Sequence, residues 1–164
     1  MEHRVTLLLG GNRGDMRASL QRAIALLQER VGRIVATSPI YLTQAWGFTS
    51  EDVFSNQAVI VATHHEPESL LDATQSIEQE LGRDRVQESE QKSITGERYC
   101  SRTMDIDIMF YDDAVISLPR LTVPHPLMQE REFALAPLCE LEPERLHPVL
   151  GKSLIELYNE LKNK

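Results

Sequence analysis

Apolar and polar positions alternate with two periods along this chain, and the switch between them marks out its elements. Val5-Thr-Leu-Leu-Leu9 is a short apolar run that ends at Gly10-Gly11-Asn12, which predicts a buried strand stopped by a turn. Leu20, Ala23, Ile24, Leu27 and Val31 then recur at helical spacing, with Asp15 in place as a cap and Gly32 just beyond the end, so a first helix is expected over about 15–31. Ile34 to Thr43 and Gln57 to Thr63 are strand-like, and a long connection holding Trp46-Gly47-Phe48 lies between them. Pro67 suits a first helical position, and Leu70, Thr74, Ile77 and Leu81 form one stripe that Gly82 closes.

From Arg83 to Arg102 the chain turns polar and loses its periodicity, as a mobile loop would. Strict alternation returns from Thr103 to Tyr111. It sets Met104, Ile106, Ile108 and Phe110 on one face and Asp105, Asp107, Met109 and Tyr111 on the other. A proline-punctuated loop, Leu121-Thr-Val-Pro-His-Pro126, comes next. A short helix over Phe133 to Leu141 and a last one opened by Ser153, with Leu154, Leu157, Tyr158 and Leu161 inward, complete the pattern. The order βαββαβ predicts a ferredoxin-like α+β sandwich: two helices on one face of an antiparallel sheet, with a C-terminal helical extension outside it. Residues 1–164 are read as a single domain, because a chain of 164 residues with 41% apolar side chains can bury a core of its own.

Charge narrows the partners. A formal net charge of -8 disfavours broad attraction to nucleic acid or to an anionic membrane, although a small anion needs only a local basic site. Cys100 and Cys139 are too few for a disulfide scaffold, and the first apolar run is too short for a leader or a membrane span, so a cytoplasmic protein with reduced thiols is expected.

The sharpest chemical signal is Asp105-Ile-Asp107. Two residues along a strand return to the same side about 6 to 7 Å apart, so both carboxylates can share a hard cation such as magnesium, which keeps open positions for water and phosphate. Arg98 and Arg102 lie immediately upstream, and guanidinium groups bind phosphate through paired donors. Other signals are weaker. Gly10 to Gly14 matches no phosphate-loop pattern, Gly151-Lys152-Ser153 lacks the earlier glycine of such a motif, and none of the five histidines has zinc spacing. His125, in a stiff loop, is a candidate phosphate donor.

The combination Arg102-Thr-Met-Asp105-Ile-Asp107-Ile-Met, then Arg120-Leu-Thr-Val-Pro-His125, then Arg131 and Phe133 resembles 6-hydroxymethyl-7,8-dihydropterin pyrophosphokinases, enzymes of folate biosynthesis. Gly11-Asn12, Phe54-Ser-Asn56, Gln75-Ser-Ile-Glu78 and Gly82-Arg83 extend the likeness over nearly the whole chain. The resemblance implies pyrophosphoryl transfer from ATP to a reduced pterin, with AMP released. It implies that Asp105 and Asp107 bind two magnesium ions and that Arg98 and Arg102 assist catalysis. Gln75, Glu78, Arg85, Ile108, Thr122, His125 and Arg131 would join those arginines on the ATP side. Thr43, Ala45, Trp46, Phe54, Asn56 and Phe133 would form the pterin side. The expected partners are these two small molecules, with no nucleic acid and no membrane, and the expected state is a monomer or weak dimer. Two other readings remain open from the residues alone: a nucleotidyltransferase, which also sets paired aspartates on such a sheet, and a ferredoxin-like ligand-binding module.

Overall fold

The computed structural model describes residues 1–12, 14–44, 53–82 and 104–164. Among them the order is β1 (His3–Gly11), α1 (Met16–Arg30), β2 (Gly32–Thr37), β3 (Tyr41–Gln44), β4 (Val53–Thr63), α2 (Pro67–Glu80) and β5 (Asp105–Tyr111). A short hairpin of β6 (Ile116–Ser117) and β7 (Thr122–Val123), then α3 (Glu132–Leu141) and α4 (Leu154–Lys162), complete it. The main sheet runs β2-β4-β1-β5, with β3 also paired to β4, and the pairs between these strands are antiparallel. This is the expected ferredoxin-like arrangement.

Local chemistry explains the helix ends. The Asp15 carboxylate accepts the Ala18 N–H at the start of α1, and Pro67 opens α2 where its missing N–H costs nothing. Ser153 and Glu156 form a reciprocal capping box at α4. Gly32, expected as a helix cap in the left-handed region, serves differently. It begins β2, and a methyl group there would collide with the Ala62 carbonyl, so the glycine permits close strand approach.

Four boundaries depart from the sequence pattern. The predicted strand over Ile34 to Thr43 is two strands, β2 and β3, interrupted at Ser38-Pro39-Ile40, and both pair with β4 along one edge. Proline has no N–H for the ladder, and Ser38 bridges the break: its Oγ accepts the Ala58 N–H, and its own N–H donates to the Ala58 carbonyl. Strand β1 does not stop at Gly10 but pairs through Gly11, and β4 starts early enough to contain Phe54 and Asn56. The alternation of β5 breaks at a bulge, where Thr6 pairs with Phe110 but Leu7 pairs with Ile108. Phe110 therefore leaves the face of Ile106 and Ile108, while Tyr111 joins it, reversing the sequence expectation for those two residues.

Each sheet face carries its own core. On one side Val5, Leu7, Leu9, Val59, Val61, Ile106 and Ile108 pack under α1 and α2. On the other, Leu8, Ala58, Met109 and Phe110 meet Ala134, Leu135, Leu138, Leu154 and Leu157 of α3 and α4. The C-terminal extension is thus a third layer. It is fastened by Arg145, whose guanidinium lies 4.2 Å from the Phe110 ring centroid, donates to the Asp112 carbonyl and pairs with Glu142 at 3.2 Å. Glu142 also meets Arg4 of β1 at 3.2 Å. No helix among the described residues is long and apolar enough to cross a membrane.

Cys139 of α3 is half-buried against the second core, and burial pushes its thiol up to about 11. In a Cys100→Ser variant, alkylation at pH 8 should run about a hundredfold slower than for an exposed cysteine, since the thiolate is the reactive form. The rate should still be climbing at pH 10. A plateau below pH 9 in a pH series of iodoacetamide labelling would contradict this placement.

Candidate active site

The site face is set by three rows of paired residues. Gly10 of β1 pairs with Asn56 of β4 on one side and Asp105 of β5 on the other, and Asn56 pairs outward with Tyr41 of β3. Directly opposed residues share a face, so Tyr41, Asn56 and Asp105 line up on the side that α3 covers. The next row holds Ala58, Leu8 and Asp107, and the preceding one holds Thr43 and Phe54. Asp105 and Asn56, two strand spacings apart, are separated by about 9.5 Å along the row.

Gly10 has a specific reason to lack a side chain. A methyl group built on it would strike Asn56 Oδ1, so the amide lies across the glycine toward the aspartates. Asn56 is 6% exposed and Asp105 and Asp107 are half-buried, so the face is shielded at the amide and open at the acids. The sequence pattern alone predicts a turn at Gly10. The usable signal was a glycine continuing an apolar strand, which marks a close approach rather than an end.

From the opposite face, Glu78 of α2 reaches the same strand. Its Oε2 accepts the N–H of Ile106, the residue between the two aspartates, at 2.8 Å, and Glu78 is 5% exposed. A bond to backbone at that point fixes the strand segment from which both acids project. Gln75 lies half-buried one turn earlier on α2, and the Ile108 side chain is packed in the core under α1 and α2. These three sit behind the acids rather than beside them.

His125 approaches β5 from the loop. Its backbone N–H donates to the Met109 carbonyl at 3.1 Å, and its Nδ1 accepts the Leu127 N–H at 3.3 Å. An occupied acceptor at Nδ1 assigns the imidazole proton to Nε2. Burial, and then the positive charge of Arg131, lower the His125 pKa, while Asp105 pulls it the other way. The ring is therefore a neutral N–H donor at pH 7. Arg131, the residue before α3, holds its guanidinium 5.6 Å from the centroid of Phe133, which packs against the second core. Thr122 is exposed on β7, and β7 packs against β5.

The structure thus gathers Thr43, Phe54, Asn56, Asp105, Asp107, His125, Arg131 and Phe133 on or beside one sheet face. Ala45, Trp46, Arg85, Arg98 and Arg102 lie outside the described residues, as does the polar segment predicted to be a loop. Among the described residues no three His, Cys, Asp or Glu side chains gather into a metal-binding group. Two half-buried carboxylates on one strand still fit magnesium, a hard cation that takes oxygen ligands and usually keeps water and phosphate in its remaining positions.

Residues 6–143 match the profile of 7,8-dihydro-6-hydroxymethylpterin-pyrophosphokinase. The chain belongs to that family. It is 41% identical over 145 residues to a 2-amino-4-hydroxy-6-hydroxymethyldihydropteridine pyrophosphokinase of Porphyromonas gingivalis, covering 88% of this chain and 93% of that one. The enzyme of the same name from Methylorubrum extorquens is 40% identical over 142 residues, covering 86% of this chain and 84% of that one. Among solved structures, wild-type HPPK-DHPS of Plasmodium falciparum superposes with a TM-score of 0.75 at 18% identity, covering 98% of this chain and 41% of that chain. At that identity the likeness is one of fold.

Substitutions at Gly10, Asn56 and Glu78 test the geometry. Gly10→Ala should destabilise the protein by about 1–3 kcal/mol through overpacking, and adding Asn56→Ala should recover most of the loss by removing the colliding amide. Urea unfolding of both single variants and the double variant measures this, and simple additivity would contradict the close approach. Glu78→Leu should cost about 1–3 kcal/mol by leaving the Ile106 N–H buried and unpaired, whereas Glu78→Gln, which keeps an acceptor, should cost less than half as much.

Proposed function

We propose that the face built on Asp105, Asp107 and Asn56 carries out the family's reaction. The pyrophosphoryl group of ATP moves to the hydroxymethyl group of 6-hydroxymethyl-7,8-dihydropterin, giving the pterin diphosphate and AMP on the route to folate. The chain is an ATP-dependent diphosphokinase. The observation that carries the assignment of its site is the row through Gly10, which aligns a shielded amide with an open carboxylate on one rigid sheet.

A flat, polar bicycle needs a hydrogen-bonding edge and aromatic faces, and Asn56, Thr43, Phe54 and Phe133 supply these on the pterin side, with Ala45 and Trp46 assigned there from sequence. The hydroxymethyl oxygen then points along the row toward Asp105. Asp105 and Asp107 would hold two magnesium ions, which when bound supply charge neutralisation along the phosphates. Neutral His125 donates from Nε2 to a phosphate oxygen without adding a proton that the reaction must later remove. Arg131, with Arg98, Arg102 and Arg85 from the sequence assignment, offsets charge on the transferred group. Thr122, Gln75, Glu78 and Ile108 complete the ATP side, Glu78 by holding the aspartate strand and Ile108 through its backbone.

In the reaction, the hydroxymethyl oxygen bonds to the β-phosphorus, the bond from that phosphorus to the α,β-bridging oxygen breaks, AMP leaves and the hydroxyl proton passes to solvent. Little covalent work falls to the protein, so positioning and charge stabilisation dominate. The same reading takes residues 1–164 as a single domain that works in the cytoplasm as a monomer or weak dimer.

Chromatography of a mixture of protein, magnesium, ATP and hydroxymethyldihydropterin should show AMP as the first nucleotide product. Asp105→Asn and Asp107→Asn should each lower kcat by about a thousandfold or more while circular dichroism stays unchanged. ADP or free pyrophosphate as the first product would overturn the reading, as would a fully active aspartate variant.

A further inference from the structure

Strand β3 is held to the sheet by few contacts. It has four residues, Tyr41–Gln44, and among the described residues it pairs only with the first part of β4, from Val53 to Asn56. An edge strand this short, with no further neighbour among the described residues, is a weak wall for a binding site. Thr43 is on it, two residues from Tyr41 and so on the same face.

Tyr41 makes one further connection. Its hydroxyl donates to Glu140 Oε1 of α3 at 2.8 Å, across 99 positions of sequence. The hydrogen bond to Glu140 also raises the Tyr41 pKa, so the phenol stays protonated and able to donate throughout the working range. Glu140 is exposed and makes no described contribution to either core, so a stability role is the lesser part of what this bond can do.

The position of Glu140 on α3 matters. Seven residues separate it from Phe133, which is two helical turns, so both project from the same stripe about 10 Å apart. Pro137 lies between them and removes the hydrogen bond that residue 137 would give to the Phe133 carbonyl, which loosens the first turn. A tether at Glu140 therefore sets the roll of the helix that aims Phe133, and the other end of the tether is the strand that carries Thr43.

We propose that the Tyr41–Glu140 hydrogen bond is a positioning strut for the pterin side of the site. It fixes the separation of the β3 wall from the α3 wall without either residue touching the substrate. The inference rests on the assignment of Thr43 and Phe133 to the pterin side. It makes Tyr41 and Glu140 determinants of pterin affinity and leaves the phosphate side untouched.

The test is steady-state kinetics with magnesium, ATP and hydroxymethyldihydropterin on Tyr41→Phe, Glu140→Ala, Glu140→Gln and the Tyr41→Phe/Glu140→Ala double variant. Loss of one hydrogen bond should raise KM for the pterin about three- to tenfold in Tyr41→Phe and Glu140→Ala. KM for ATP and kcat should stay within about twofold, since the ATP-side groups are not moved. The double variant should be no worse than either single one, and Glu140→Gln, which keeps an acceptor, should restore most of the affinity. Unchanged pterin KM, equal rises in both KM values, or Glu140→Gln as impaired as Glu140→Ala would overturn the strut. If Tyr41→Phe fails to fold, the Ala and Gln variants of the exposed Glu140 decide the question alone. Wild-type protein with no pterin-dependent AMP formation would overturn the functional reading and the strut together, which separates that failure from a failure of the strut alone.

Discussion

Everything at the site depends on the space over Gly10, which the Asn56 amide fills. Strand β1 lies in the middle of the sheet, between β4 and β5, so its residue 10 faces Asn56 on one side and Asp105 on the other. With any side chain there, the Asn56 amide would be pushed off the face it shares with the acids. A sheet offers few places where an amide and a carboxylate can be held about 9.5 Å apart with no intervening group, and the absence of one Cβ makes such a place. The pairing registers on both sides then place Asp107, Thr43 and Phe54 on the same face.

The two faces of the sheet divide the remaining work. The face under α1 and α2 is filled by branched and leucine side chains from every long strand. From that side Glu78 holds the Ile106 N–H, so the rigid core reaches through the strand to the base of both aspartates. The opposite face is covered only in part by α3 and α4, and the aspartates stand half-buried beside that cover. A bulge in β5 serves this division: it brings Phe110 to join Met109 on the side of the C-terminal layer just past the aspartates, ending the polar part of the strand and starting its apolar part.

The periods of the sequence were enough to read the ferredoxin-like order, because α1, α2 and β1 bury their stripes against one core and nothing competes with that pattern. The aspartate pair was legible for the same reason, as two acids at strand spacing in an otherwise apolar run. What could not be read were features decided by partners distant in the chain. The β5 bulge depends on the register against Thr6 and Leu7, so simple alternation puts Phe110 and Tyr111 on the wrong faces. The split of β2 from β3 depends on Ser38 bonding to Ala58. Glu78 was implied as an ATP-side residue, and its bond to Ile106 spans a helix and a strand. The sequence resemblance reached further than periodicity here, since it gathered residues from β3, β4, β5 and the start of α3 that no local pattern connects.

On the proposed reading both substrates lie in line along the sheet face that carries Asn56, Asp105 and Asp107. Diffraction from crystals grown with manganese, a non-hydrolysable ATP analogue and hydroxymethyldihydropterin tests it most directly, because manganese takes the same oxygen ligands as magnesium and scatters anomalously. Anomalous peaks should lie within coordination distance of the Asp105 and Asp107 carboxylates, and the pterin's amide edge should lie on Asn56. Manganese bound by neither aspartate, or a pterin seated away from Asn56, would contradict it.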